Sequence, residues 1–472
     1  MDRIKPFIIL LLVIIAFVSY RAISKKESTN DLLAFSFQKI NNPSLSIDLV
    51  AKISGTDIRA TLPLGTRIQD LKATFRTNGE QVKVNSVTQV SAKNSLDFSG
   101  PQAYRVIAED GTTQTYNVDL CLPRLRAGAV SGCGEIPLQG LVTTLAGSAG
   151  VKGSSDGTGK AARFILPTGI ATDGKNIYIS DLGNHTIRQM VIATGEVTTL
   201  AGKAGTPGHA DGIGSAAKFN SPKGITTDGT NLYIADHWTH TIRKLVIATR
   251  SVTTLAGQAN RYGHRNGMGT GALLRTPNGM VLIGNDLYFV DQINNAIRKL
   301  NLKTKRVTDF AGSTGVGWGS NDAIGIRARF NAPEAMTTDG TSLFVTDRMN
   351  DTIRKVDIAT ARVTTLAGTA GFRSNGSTAG HADGMGGAAK FRDPYGLTTD
   401  GIYLYVADTT HTIRKIEIAT GVVTTLTGLP NKAGMADGAA GVATFNIPYG
   451  ITSDGKSLFV ADLKNHTIRR ID

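Results

Sequence analysis

Gly169-Ile-Ala-Thr-Asp-Gly-Lys-Asn-Ile-Tyr-Ile-Ser-Asp181, followed by Leu182-Gly-Asn-His-Thr-Ile-Arg188 and later by Val197-Thr-Thr-Leu200, decides the fold of this chain. Gly169–Asp173 is a short apolar stretch, and Gly174-Lys175 turns with Asp173. Asn176–Asp181 alternates with period two, as a half-buried strand does. Asn184-His185 sits in a second turn, Thr186–Ile192 alternates again, Thr194-Gly195 turns, and Val197–Leu200 is a fourth strand. Four strands joined by tight turns make one blade of a β-propeller.

The unit recurs. A phrase opening with Asp and closing with Ile-Arg begins at Asp181, Asp236, Asp291, Asp347, Asp408 and Asp462. Val-Thr-Thr-Leu-Ala-Gly begins at Val142, Val197, Val252 and Val363, with variants at Val307 and Val423. Repeats at a fixed period are the signature of solenoids and propellers; each phrase occurs six times, so six blades are expected. The phase is informative too. The array opens with a fourth-strand phrase, Leu141–Gly147, and ends just after a third strand, Thr467–Ile471. Pairing the two closes a ring and removes the free edge of a linear array.

Gly-Ile-x-x-Asp-Gly-x-x-Leu-Tyr-Val-x-Asp, then Asn-His-x-Ile-Arg-Lys, resembles the NHL repeat over residues 141–472. The resemblance implies a six-bladed propeller used as a platform for proteins, RNA or glycans. A few six-bladed relatives are lyases or lactonases with central metal sites, so fold does not settle function.

Upstream, residues 31–120 read as a small β-sandwich. Strands are expected at residues 33–37, 47–53, 58–62, 71–75, 82–84, 104–108 and 115–120. Ala-Thr-Leu-Pro-Leu-Gly-Thr and Ala-Glu-Asp-Gly-Thr-Thr-Gln-Thr-Tyr-Asn-Val resemble Ig-like or cadherin-like modules of bacterial surface proteins, which implies a spacer or adhesive role. Residues 121–140 read as a linker. There Cys121 and Cys133 are expected to form a disulfide, which would contribute about 3 kcal/mol. Residues 1–30 begin with basic residues and hold an apolar run, Phe7–Val18, which reads as a secretory signal or an uncleaved membrane anchor. The whole is an exported all-β chain: a sandwich followed by a propeller closed by an N-terminal strand.

Glycine supplies 54 of 472 residues without a collagen period, in keeping with many tight turns, and the two cysteines exclude a disulfide-rich scaffold or a four-cysteine zinc module. Net charge is +14; residues 141–472 carry 35 Lys+Arg against 25 Asp+Glu, so most of the excess lies in the propeller. Basic surfaces attract phosphate backbones, but export disfavours nucleic acid and points to a protein or an acidic glycan of the cell envelope, with inner-membrane attachment through residues 7–18 as one arrangement.

All eight histidines and both tryptophans fall in the turns between second and third strands or in the connections between blades, which share one face. His185, His240, His411 and His466 are repeat-equivalent and are expected to bond a turn. The repeated aspartates are expected to cap turns, and the repeated arginines to pair with neighbouring blades. A residue present six times serves the fold; one that differs between blades is free to serve a ligand. Such a position precedes each inner strand within Pro-x-Gly, occupied by Thr168, Lys223, Asn278, Glu334, Tyr395 and Tyr449. With Trp238 and Trp318 these are the ligand-binding candidates, expected as a polar rim that bonds and stacks a sugar or peptide. No catalytic motif, cofactor signature or metal-ligand pattern stands out. The reading is an exported, non-catalytic recognition protein of the bacterial cell envelope. The alternative is a lactonase-like propeller hydrolase or lyase acting on an envelope substrate.

Overall fold

A computed structural model describes residues 31–42, 49–54, 56–61, 71–77, 79–96, 102–121, 138–312, 317–371 and 379–472. The apolar run 7–18 and Cys133 lie outside these residues, as does the side chain of Cys121, so the expected leader and disulfide fall outside the described structure.

The upstream region is all β. Leu32–Phe37 pairs with Leu49–Val50 and Thr74–Thr77 in one sheet. A second sheet carries Gln102–Ile107 antiparallel to Thr113–Cys121, which itself runs parallel to Asp57–Thr61. One core lies among these strands: Phe35, Phe37, Ile58, Val82, Tyr104, Val106 and Val118 are all buried. Their period-two alternation with exposed neighbours, as in Gln102–Ile107, explains why residues 102–121 form a hairpin and not a helix.

Downstream, six antiparallel sheets form a ring. In blade one the order from the axis outward is Pro167–Thr172, Asn176–Asp181, Thr186–Val191 and Glu196–Ala201. Blades two to six repeat this, with inner strands at Pro222–Thr227, Pro277–Ile283, Met336–Thr338, Leu397–Thr399 and Pro448–Ser453. The ring closes as the phase of the repeats predicts. Val142–Ala146 pairs with Thr467–Ile471, Val142 opposite Ile471, and becomes the outer strand of blade six. One feature was not foreseen. Blades one to five carry a fifth, two-residue strand outside the fourth, such as Gly157–Thr158 against Glu196–Val197. It is formed by the long connection as it folds back over its own blade.

The core is six wedges, one at each seam. Tyr178, Ile187 and Leu200 of blade one pack with Phe219, Ile234 and Leu245 of blade two, and the last seam joins Phe459 and Ile468 to Ile170 and Ile179. Near the axis the inner strands approach so closely that glycine is required. A Cβ at Gly450 would strike the Thr168 carbonyl oxygen, and one at Gly169 the Lys223 carbonyl oxygen.

The repeated polar residues correct two expectations. The arginines do not reach neighbouring blades. Arg188 is wholly buried and clamps the incoming connection onto its own blade. It donates to Asp181 at 2.9 Å, to Asp156 at 2.8 Å and to the Ser155 and Arg163 carbonyls, and it lies over Phe164. Five of the aspartates are buried partners of these arginines; Asp408, in the one turn shortened by a residue, instead accepts the Thr410 N–H as a turn cap. Burial pushes Asp181 up to about 6 even with Arg188 beside it. Blade three rearranges the clamp: Asn266 replaces the connection aspartate, and Asp309 on the fourth strand returns the carboxylate to Arg298 at 2.8 Å.

The seams are bridged instead by the repeat histidines. Nδ1 of His185, His240, His411 and His466 accepts the N–H of Ser221, Thr276, Ile447 and Leu166, each at the head of the next blade. Asn295 and Asp351 do the same at the other two seams. All six residues have left-handed backbone, φ from 54° to 69°. Asn, Asp and His tolerate that region best, and each carries an acceptor. The histidines, expected to bond a turn, join one blade to the next.

Candidate functional site

The first residues of the inner strands and the turns between second and third strands meet at one end of the central channel, because Pro167 pairs with Asp181 and Pro277 with Asp291. The sixfold likeness fails there. Blade four reads Pro333-Glu334-Ala335 where the other blades have glycine third, and Glu334 points to the axis, 1% exposed. Lys223 Nζ lies 3.2 Å from Oε1, and Asn278 Nδ2 donates to Oε1 at 2.6 Å. The Tyr449 hydroxyl also donates to Oε1 and the Gln292 amide to Oε2. Arg348 Nε is 3.4 Å from Oε2 and approaches Asp393 at 3.8 Å. Tyr395 stacks on Tyr449 with centroids 4.4 Å apart; Lys223 covers the Tyr449 ring and Arg348 the Tyr395 ring.

Burial alone would raise the Glu334 carboxyl. Lys223, then Arg348, then the Tyr449 hydroxyl outweigh it and hold the group below its ordinary value. Glu334 is thus ionised, and its charge lifts the Tyr449 hydroxyl, already raised by burial, further still. His237 is pushed down to about 3 by burial and by Lys223. It is neutral, and its Nδ1 donates to the Pro277 carbonyl at 3.2 Å.

Five of the six candidates at the Pro-x-Gly position therefore converge: Lys223, Asn278, Glu334, Tyr395 and Tyr449. They form not an open rim but a packed cluster in which Asn278, Glu334 and Tyr449 are buried and Lys223, Arg348 and Tyr395 keep part of their surface in solvent. Thr168 is buried apart from them, its hydroxyl directed to the Ser180 and Pro222 carbonyls. Trp238 adjoins the cluster through His237, edge-on at 5.2 Å, with 54% of its surface exposed. Trp318, equally exposed, stands in the connection leading to blade four.

Three members escaped the sequence reading: His237, Gln292 and Arg348. They follow directly on the repeated aspartates Asp236, Asp291 and Asp347, where the other blades have Leu182, Thr409 and Leu463. This position varies between blades just as the Pro-x-Gly position does, and the same criterion applied to it finds all three.

Below the cluster the channel holds a cavity of about 310 Å³, lined by the inner strands of all six blades. Asn278, Glu334 and Tyr449 border it at one end; Thr338, Thr399 and Ser453 line it toward the first-hairpin end. The histidines of the Gly-His-Ala-Asp-Gly connections serve the framework: His209 and His381 meet the hydroxyls of Thr254 and Thr425 while Asp211 and Asp383 hold Arg243 and Arg414. Among the described residues no three His, Cys, Asp or Glu side chains gather as a metal site would need.

Comparison with known proteins agrees with this architecture. NHL repeat-containing protein 2 of Bos taurus is 30% identical over 341 residues, covering 66% of this chain and 47% of that protein. The propeller is built of NHL repeats. The chain spans about half the length of the curated relatives it matches. Residues 33–120 match the family model described as SGBP, N-terminal. Two solved structures from Bacteroides thetaiotaomicron align over nearly the whole chain. One is a structural genomics protein of unknown function, at 20% identity and TM-score 0.55 over 90% of this chain and 97% of that one. The other is an auxiliary nutrient binding protein, at 16% identity and TM-score 0.53 over 86% and 94%. At such identities the likeness shows the fold alone.

Proposed function

We propose that this chain is a non-catalytic glycan-binding protein exported to the cell envelope, and that the end of the channel bearing the Glu334 cluster is its ligand-binding face. One observation carries the reading: the repeat breaks at that end, where variable residues of blades two to six converge while Lys223, Arg348 and Tyr395 stay partly exposed. The SGBP, N-terminal match and the fold shared with an auxiliary nutrient binding protein support a sugar as ligand. The chemistry of the cluster supports binding over catalysis. Both oxygens of Glu334 are occupied by donors, and His237 is neutral and buried, so neither is poised to move a proton. Lys223 and Arg348 are matched by Glu334 and Asp393, which favours a neutral glycan over an acidic one or an acidic protein. The sandwich acts as an Ig-like spacer, and residues 7–18 as signal or anchor.

Calorimetry of the full chain against cellohexaose, maltohexaose, xylohexaose and mannohexaose tests this. At least one should bind saturably, with little change in high salt, and Tyr395→Ala should weaken it several-fold. Binding by none of the four, or release of shorter products from any, would overturn the reading, the second outcome in favour of a propeller hydrolase or lyase.

A further inference from the structure

We propose that an aromatic arc across blades two to four, beside the Glu334 cluster, is a track on which several consecutive sugar units of one glycan chain lie. This rests on the glycan reading above and adds the form of the ligand: an extended oligosaccharide, not a single sugar.

Three large aromatic side chains stand exposed on the described surface: Trp238, Tyr262 and Trp318, at 54%, 63% and 54%. All three lie on the face that carries the cluster. Trp238 is in the second-to-third-strand turn of blade two. Tyr262 and Trp318 occupy equivalent places in successive connections: each precedes a glycine, Gly263 or Gly319, whose N–H is held by the carbonyl of Leu274 or Phe330. The other connections place Lys152, Pro207, Ala379 and Ala433 before that glycine. The aromatic positions therefore cover the sector of the ring that supplies Lys223, Asn278, Gln292, Glu334 and Arg348, and among the described residues no exposed aromatic side chain stands on the opposite sector.

The rings of Trp238 and Tyr262 are braced. Trp238 meets His237 edge-on at 5.2 Å, and His237 is itself fixed by the Pro277 carbonyl. Tyr262 meets His240 edge-on at 5.7 Å and lies under the Arg275 guanidinium at 5.1 Å. The two loops are tied by Asn260 N–H donating to the Thr239 carbonyl at 3.1 Å. Rigid amphipathic rings lose little conformational freedom when a ligand covers them, and their faces suit the C–H faces of pyranose rings. Ile293, 43% exposed, lies in the second-to-third-strand turn of blade three. A chain seated here would meet the polar groups of Lys223 and Arg348 at its inner side and stacking rings along its length.

The chain has two tryptophans, and both are on the arc, so its tryptophan emission reports the track directly. The test uses the full chain, the hexasaccharides named above and the matching disaccharides. For the hexasaccharide that binds, emission should change saturably in Trp238→Phe and in Trp318→Phe alike, each of which retains one reporter. The disaccharide should move at most one of them. Tyr262→Ala should weaken the hexasaccharide about tenfold, whereas Lys152→Ala, at the equivalent place on the opposite sector, should not. These residues are exposed, so the fold is expected to persist, and unchanged thermal midpoints check that. A hexasaccharide that binds by calorimetry while both emission spectra stay still and Tyr262→Ala binds equally well would overturn the track and leave the glycan reading standing. Binding of none of the four hexasaccharides would overturn both.

Discussion

Replacing His466 by alanine should weaken the joint that closes the ring, and the structure says by how much. His466 Nδ1 accepts the Leu166 N–H at 3.1 Å, linking the last blade to the first, from a left-handed backbone with φ 59°. Alanine leaves that N–H without its partner, a loss of about 1–3 kcal/mol. Glycine loses the same bond but relieves the left-handed strain, which is about 1 kcal/mol for a residue with a Cβ. Asparagine keeps both the acceptor and the conformation, as Asn295 does at its own seam. The expected order of destabilisation is alanine, then glycine, then asparagine near zero. In a closed ring the same series at His185, an internal seam, should match it. Urea denaturation followed by fluorescence reads the differences. The pH dependence is a second signature. Burial holds His466, His185, His240 and His411 below their ordinary 6.5. The unfolded chain therefore takes up protons first, so this contribution is complete above about pH 6.5 and fades as pH falls below it. His466→Asn should be less acid-sensitive than the wild type. Equal cost for asparagine and alanine, or a null effect at His466 with a clear one at His185, would refute the ring-closing joint.

Arg354→Met should cost about 3–5 kcal/mol, since it strands the buried Asp347 carboxylate; the double variant with Asp347→Asn should recover part of this by chemical denaturation, and no recovery would show that packing, not charge, dominates. Glu334→Gln should cost about 2 kcal/mol at neutral pH, below the usual cost of about 3–5 kcal/mol for a fully buried pair because Lys223 and Arg348 can regain water. Glu334 is held below its ordinary 4.5, because Lys223, Arg348 and the Tyr449 hydroxyl outweigh burial, so its contribution is present above that value and lost as pH falls. The stability gap between wild type and Glu334→Gln should accordingly close in acid, and a gap that persists there would count against an ionised Glu334.

What the sequence discloses follows from what repetition can encode. Strand order, blade number and closure by Val142–Ala146 are written in phrases that recur with fixed phase, since each blade must present the same edges and the same wedge to its neighbours. Roles were harder to assign than places. Arg188 and its equivalents are recognisable as structural, yet their target is the connection of their own blade, because Asp156 and its counterparts are brought home only by the fold-back that adds the unforeseen fifth strand. The joint between blades falls to His185 and its equivalents for a local reason, left-handed backbone combined with an acceptor, which sequence alone does not show.

The site is legible wherever repetition fails, and it fails at two positions in each blade, not one. Reading only the Pro-x-Gly position finds Lys223, Asn278, Glu334, Tyr395 and Tyr449 but suggests a hollow rim, since varied residues spaced around a circle have no evident reason to touch. Adding the residue after each repeated aspartate changes the chemistry. His237, Gln292 and Arg348 supply a neutral ring, an amide and a second cation around one carboxylate, so an acid that would be intolerable alone at the axis becomes the centre of a satisfied cluster.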